Sequence, residues 1–185
     1  VGHQNDMGER GKISKNIGRT LLSIAFNIGG ESIWEFNVLS AYIYLISGSA
    51  IVVGDLNTLL RTGNLLSTIP SGFLADRFRR DTTIRIGSCI AVLSAAVMYY
   101  GILLSDYNVL AWGLTYWGVA TGCYSPANWA LYSDSVHPEE APYYFTKRMM
   151  IAKFSSSMGP LITIFLFLYI GDEWTVKSCA TVMLI

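Results

Sequence analysis

Three charged residues lie deep inside long apolar stretches of this chain, where charges are costly to bury. Glu31 and Glu35 lie in the stretch 21–46, and Arg61 lies in the stretch 51–73. The two glutamates are four residues apart, so on a helix they share one face. If these stretches cross a membrane, each charge costs roughly 2.5 to 3.5 kcal/mol or more and is retained mostly when it is paired or functional. The three residues are therefore candidates for a substrate or ion site.

Glu35 and Arg61 are expected to lie at similar depths. Counted from the outer ends of their stretches at Ile46 and Ile51, they are eleven and ten residues inward, which is roughly 15 to 17 Å of helix rise. Two interpretations follow. In the first, the carboxylates face a central cavity, where Arg61 balances one of them and the other binds a cation, a proton or a polar substrate. In the second, the residues form only a structural ion pair between neighbouring helices.

Two aromatic residues, Trp34 and Tyr116, complete the candidate substrate site. Both lie near the middle of apolar stretches, and their rings combine an apolar body with a polar tip. Packing or lipid contact is the alternative role for each. The apolar stretches hold no nucleophile–base pair, and the three cysteines are far apart, with no Cys-x-x-Cys pair and no histidine cluster nearby. We therefore expect no catalytic residues, no metal and no cofactor.

Long apolar helices must position these residues. The chain is 52% hydrophobic and 14% charged, whereas an ordinary soluble domain has about 25% charged residues. A helix needs about 20 apolar residues to cross the hydrocarbon core, and no stretch shows the alternation of a strand. The predicted spans are residues 21–46, 51–73, 86–104, 107–133 and 149–171, with an incomplete sixth at 174–185. Residues 21–185 are thus predicted to form one transmembrane helical bundle, and residues 1–20 a cytoplasmic N-terminal segment.

The basic residues are concentrated in alternate connections between these spans. Of 13 lysines and arginines, ten lie in residues 1–20, between the second and third spans, or between the fourth and fifth, and Lys153 follows closely. Cytoplasmic loops of membrane proteins carry such an excess. The pattern predicts an integral, multi-pass membrane protein with a cytoplasmic N-terminus. A net charge of zero gives no basic surface for nucleic acid.

The connection between the second and third spans carries a recognisable motif. It reads Gly72-Phe73-Leu74-Ala75-Asp76-Arg77-Phe78-Arg79-Arg80-Asp81. This loop resembles the major facilitator superfamily signature G-x-L-A-D-R-x-G-R-[RK], and the matching residues are Gly72, Leu74, Ala75, Asp76, Arg77 and Arg80. Arg79 replaces the usual glycine, and Asp81 replaces the usual basic residue. A glycine such as Gly72 lets helix backbones approach closely, and arginines bridge to carboxylates at neighbouring helix ends.

The resemblance implies both a fold and a function. In the family this loop holds two six-helix halves together and works with an acidic residue at the inner end of the fourth helix, where Asp134 stands here. The implied fold is an all-α membrane protein, the N-terminal six-helix bundle of a transporter, with five complete spans and a partial sixth. The chain is thus expected to be a fragment whose partners are the lipid bilayer, a small-molecule or ion substrate and a missing C-terminal half. The implied function is transport by alternating access; a non-transporting receptor or scaffold of the same fold is the alternative.

Small residues at four-residue spacing predict where helices pack closely. They are Gly118 and Gly122 in the fourth span, and Ser155 and Gly159 in the fifth. The sequence that follows Ser155 also resembles a family pattern, G-x-x-x-G-P-x-x-G, that is associated with antiporters. Because serine and threonine replace two of its glycines, we interpret it as a packing motif.

Overall fold

The computed structural model describes residues 2–35, 38–77, 80–171 and 174–184, with side chains from Asn16 onward. These residues form seven α-helices and one short 3-10 helix, Pro138–Glu140. The α-helices are α1 (Gly2–Trp34), α2 (Val38–Ser47), α3 (Ala50–Arg77), α4 (Arg80–Leu104), α5 (Tyr107–Asp134), α6 (Ala141–Ile170) and α7 (Val176–Leu184). No β-strand occurs in the described part of the chain. The predicted all-α class is therefore correct.

Two helical stretches have the length and composition to cross a membrane. They are α4, with a mean hydropathy of 1.9, and Pro138–Ile170, with a mean hydropathy of 1.6. Only 28% and 17% of their most apolar windows are buried inside the bundle. A core helix of a soluble protein would be mostly buried, so these helices present their apolar side chains outward, where lipid would contact them.

The first predicted span, 21–46, differs from the helices of the structure in two ways. Helix α1 begins at Gly2, inside the predicted N-terminal segment, where no proline interrupts the helix. The span 21–46 is divided between α1 and α2, and Phe36 and Asn37 lie outside the described residues.

Two predicted loops are largely helical. Helix α3 continues to Arg77 and α4 starts at Arg80, so the signature lies mostly on helices, with Phe78 and Arg79 outside the described residues. The predicted loop 134–148 contains the 3-10 helix and the first two turns of α6, which has a proline in its first turn. The fixed φ of proline suits that position. Because the predicted spans were limited to charge-free residues, they are shorter than the helices at these two connections, and the predicted loops are too long.

Helix α5 is at the centre of the bundle, packed along α3 and α4, while α1 packs along α6. A Cβ atom at Gly118 would overlap the carbonyl oxygen of Leu60, and one at Gly159 would lie 2.6 Å from the carbonyl oxygen of Ser32. These glycines therefore permit close backbone contact. A Cβ at Gly72 would meet nothing within 4 Å. Among the described residues no neighbouring backbone approaches Gly72, because its face of α3 points away from α5, whereas the adjacent Ser71 hydroxyl donates to the Gly122 carbonyl at 2.8 Å.

Two apolar clusters occupy the two ends of the bundle. The larger contains Leu39 and Tyr42 of α2 packed with Leu110 of α5, and the Tyr42 hydroxyl donates to the Ile102 carbonyl at 3.0 Å. The smaller packs Ile17 and Leu21 of α1 against Tyr132 and Val136. Leu110 and Tyr132 are about 33 Å apart along α5 at 1.5 Å per residue. The layer between the two clusters holds the polar residues described next.

Candidate functional site

A polar cavity of about 380 Å³ opens between α1, α3, α5 and α6. Its polar lining residues are Asn27, Glu31, Glu35, Arg61, Asn64, Thr121, Tyr124, Ser125, Asn128, Trp129 and Arg148. On α5 the spacing of Thr121, Tyr124 and Asn128 follows one helix face. Charges and hydrogen-bonding groups from four helices thus converge in an otherwise apolar bundle.

Glu35 and Arg61 form an ion pair in this cavity. Arg61 Nη2 donates to Glu35 Oε1 at 2.7 Å. The Glu35 side chain is 7% exposed, whereas that of Arg61 is 65% exposed. The count of helix rise had placed these residues at equal depth, and they are in contact. Arg61 therefore neutralises a carboxylate that is almost fully buried.

Glu31 has a different partner. The indole N–H of Trp117 donates to Glu31 Oε1 at 3.0 Å. This hydrogen bond is neutral on the donor side, so it orients the carboxylate without balancing a negative charge. Of the two glutamates, Glu31 is the one without a cationic partner among the described side chains.

Trp34 and Tyr116 do not line this cavity. The Trp34 ring packs edge-on against Trp117, with centroids 5.4 Å apart, so it supports the residue that binds Glu31. Tyr116 is partly exposed and packs against Trp112, with ring centroids 6.3 Å apart. Adjacent residues on a helix point about 100° apart, so Tyr116 cannot share the direction of Trp117. Both rings thus lie outside the lining of this cavity, and their role in a substrate site stays a prediction.

Neutral polar residues that sequence reasoning did not select extend the site. Asn64 Nδ2 donates to Thr121 Oγ1 at 2.9 Å, and Asn128 Nδ2 donates to the Tyr124 hydroxyl at 2.6 Å. The same hydroxyl shares a hydrogen bond of 2.7 Å with Ser23 Oγ. The available signal was the spacing of 121, 124 and 128 within a charge-free stretch, since that spacing places polar groups on one face.

Arg148 was also missed as a cavity residue. Sequence analysis assigned it to a basic cytoplasmic connection, but in the structure it is 5% exposed and lines the cavity. Its guanidinium carbon lies 3.5 Å from the centroid of the Trp129 ring and 4.9 Å from that of Tyr132. No signal in the sequence marked it, because it is one basic residue of a pair, Lys147 and Arg148.

The signature residues fall into a paired and an unpaired group. Arg80 forms an ion pair with Asp134, and its Nη1 donates to the Ala130 carbonyl at 2.8 Å. These contacts join the start of α4 to the end of α5. By contrast, the side chains of Asp76 and Arg77 are exposed and make no hydrogen bond or ion pair with another described residue. Of the remaining matches, Ala75 is buried and Leu74 is exposed.

One sequence comparison gave a match. The family model described as Major Facilitator Superfamily matches residues 20–185. Searches of curated proteins and of solved structures gave no significant match. The matched range contains all the cavity residues and all the signature residues named above.

Proposed function

Because this chain belongs to the major facilitator superfamily, we propose that it acts in moving a small solute across a membrane by alternating access. The family consists of integral membrane transporters rather than enzymes. The observation that carries the proposal is the cavity between α1, α3, α5 and α6, which gathers buried charges within an apolar bundle. Charges inside a membrane bundle are costly, and they commonly mark the path of a substrate or an ion.

We assign different roles to the two glutamates. Glu35 is neutralised by Arg61 at 2.7 Å, which leaves the pair without net charge. Glu31 accepts a hydrogen bond from the Trp117 indole and forms no ion pair with a described side chain, so its carboxyl group remains available to a proton or a cation. In this proposal Glu31 binds a cation, a proton or a donor group of the solute, while the pair of Glu35 and Arg61 holds α1 against α3.

We propose a topology in which the N-terminus and the signature are cytoplasmic. The spans predicted from the sequence then correspond to α1 with α2, α3, α4, α5, α6 and α7. Arg80 and Asp134 fix α4 against α5. Asp76 and Arg77 are exposed, and this supports a role in contacting a second six-helix half, which would rock against this one.

The proposal is tested by uptake into vesicles that contain the protein expressed from its full coding sequence. A panel of labelled solutes should identify one that accumulates with saturable kinetics. Asp76→Asn should then slow initial uptake severalfold at unchanged protein abundance. It removes an exposed charge that pairs with no described residue and that we propose contacts the second six-helix half. Asp81→Asn is the matched control: it removes a nearby carboxylate whose partner is Arg85, at 2.9 Å on the same helix, and it should transport normally.

Two outcomes would contradict the proposal. If no solute accumulates above protein-free vesicles, the transport function is wrong. If uptake occurs but Asp76→Asn and Asp81→Asn have equal rates, the signature has no gating role in this protein.

A further inference from the structure

Arg148 carries a buried positive charge that no described carboxylate balances. The ion pairs of the described side chains are formed elsewhere: Glu35 with Arg61, Asp134 with Arg80, and Asp81 with Arg85. Arg148 is nevertheless 5% exposed, and its Nη1 has no hydrogen-bond partner in the described part of the chain. An unpaired buried charge is unfavourable, so the presence of Arg148 beside a cavity indicates a ligand that pairs with its charge.

The described side chains around Arg148 leave its buried Nη1 without a hydrogen-bond partner. The Trp129 and Tyr132 rings lie 3.5 and 4.9 Å from the guanidinium carbon, where their π-electrons attract the cation. Rings that contact the guanidinium face do not use the N–H groups at its edge. That edge is a planar fork that matches the two oxygens of a carboxylate or a phosphate.

The aromatic platform is itself held in place. Trp129 stacks on Phe145, with ring centroids 6.1 Å apart and planes 12° from parallel. The Tyr132 hydroxyl donates to the Tyr144 carbonyl at 2.6 Å. Arg148 is therefore presented to the cavity by side chains that have their own contacts, and an anion would bind with little further ordering of the protein.

A second unpaired atom in the same cavity specifies the ligand further. Asn128, next to Trp129 on α5, is 4% exposed. Its Nδ2 donates to the Tyr124 hydroxyl, whereas its Oδ1 is buried without a partner among the described residues. An amide oxygen accepts hydrogen bonds only. The ligand therefore needs a hydroxyl or ammonium donor as well as an anionic group.

We propose that the cavity binds a solute with a carboxylate or phosphate group, held by the Arg148 guanidinium, and a neighbouring donor, held by Asn128 Oδ1. This inference rests on the proposed transport function for its biological meaning. The binding step itself requires no transport and can be measured separately.

The experiment measures how anions raise the unfolding temperature of the purified protein in alkyl maltoside micelles. These micelles contain no phospholipid, so a lipid headgroup cannot supply the phosphate. The probes are lactate, acetate and inorganic phosphate, with choline as the cationic control, all at constant ionic strength. A ligand that binds the folded state raises its stability with concentration, which yields an apparent Kd.

We expect lactate to bind more tightly than acetate, because only lactate carries a neighbouring hydroxyl. Arg148→Gln should weaken lactate binding roughly 10- to 100-fold, the loss that follows when charge-assisted hydrogen bonds are removed. Lys147→Gln is the matched control, since it removes the same charge one residue away at an exposed position, and it should bind normally. If phosphate binds instead of the carboxylates and depends on Arg148 in the same way, the ligand belongs to the phosphate class.

Several results would overturn the inference. They are the absence of binding by all three anions, equal binding by the parent and Arg148→Gln, and equal weakening by Lys147→Gln. If Arg148→Gln does not fold, Arg148→Lys decides the question: weaker lactate binding supports the role of the fork, and unchanged binding refutes it. Anion binding without uptake would refute only the transport function, whereas uptake without Arg148-dependent anion binding would refute only this inference.

Discussion

The ion pair between Glu35 and Arg61 should respond unequally when one partner or the other is removed. Arg61→Gln leaves a carboxylate that is 7% exposed without the cation that lies 2.7 Å from it. Glu35→Gln leaves a guanidinium that is 65% exposed and can be solvated in the cavity. Leaving a buried charge uncompensated costs about 3 kcal/mol at the lower end of the usual range, which suits a pair buried on one side. Loss of an accessible pair costs less than about 1 kcal/mol.

We therefore expect the free energy of unfolding to fall by about 3 kcal/mol in Arg61→Gln and by under about 1 kcal/mol in Glu35→Gln. The double variant buries no unpaired charge and should lose only about 1 kcal/mol, which gives a coupling energy of about 3 kcal/mol. The assay is equilibrium unfolding in mixed micelles, followed by far-ultraviolet circular dichroism.

The exposed pair of Asp81 and Arg85 provides the control for this double-mutant cycle. Both side chains are more than half exposed, and they are four residues apart on α4. Removal of either should cost about 0.5 kcal/mol or less, with no asymmetry. If Glu35→Gln proved as destabilising as Arg61→Gln, burial of the carboxylate would not govern the pair, and the reasoning would be refuted.

Two further predictions concern packing and are checked by the unfolding temperature in micelles. Gly118→Ala should destabilise the bundle by about 1 to 3 kcal/mol because its Cβ would overlap the Leu60 carbonyl oxygen, whereas Gly72→Ala, with open space around it, should be neutral or slightly stabilising; equal effects would contradict the close contact. Tyr42→Phe should cost about 0.5 to 1.5 kcal/mol because it removes the buried hydrogen bond to the Ile102 carbonyl, which still accepts from the Ser105 amide at 3.2 Å. Tyr44→Phe, at an exposed position, should stay within about 0.5 kcal/mol of the parent, and a similar loss in both variants would rule out the Tyr42 hydrogen bond as the cause.

Depth along a helix could be predicted from the sequence, because the rise per residue is nearly constant. Counting from the ends of two apolar stretches placed Glu35 and Arg61 at the same level, and their side chains are in contact at 2.7 Å. The helical class was predicted from the long apolar stretches, which show no alternation of a strand. Small residues at four-residue spacing likewise indicated packing, and Gly118 and Gly159 lie against neighbouring backbones.

Direction around a helix could not be predicted, since it depends on which helices become neighbours. Tyr116 and Trp117 are adjacent in sequence, yet only Trp117 reaches Glu31, while Tyr116 contacts Trp112. The polar stripe of α5 defines a face, but nothing in the sequence states that α1 and α6 cover it. That arrangement is set by contacts between distant parts of the chain.

Arg148 was missed for a different reason. Arg148 directly precedes an apolar run, so hydropathy places it in the loop before that run. In the structure α6 begins at Ala141, and Arg148 lies two turns inside it, with aromatic rings covering its guanidinium face. Hydropathy measures the cost of a charge and takes no account of neighbouring rings that reduce that cost.

Two of the signature residues, Arg80 and Asp76, differ in their contacts, and this difference decides which substitution tests gating. Arg80 holds α4 to α5 through Asp134 and the Ala130 carbonyl, so it stabilises the bundle in every conformation that keeps these helices together. Its removal would slow uptake by weakening the fold even if the residue had no part in gating. Asp76 has no partner among the described residues, and its loss leaves the bundle intact. A transport defect in Asp76→Asn at unchanged stability therefore reports on contacts beyond these helices, which a defect in Arg80→Ala cannot do.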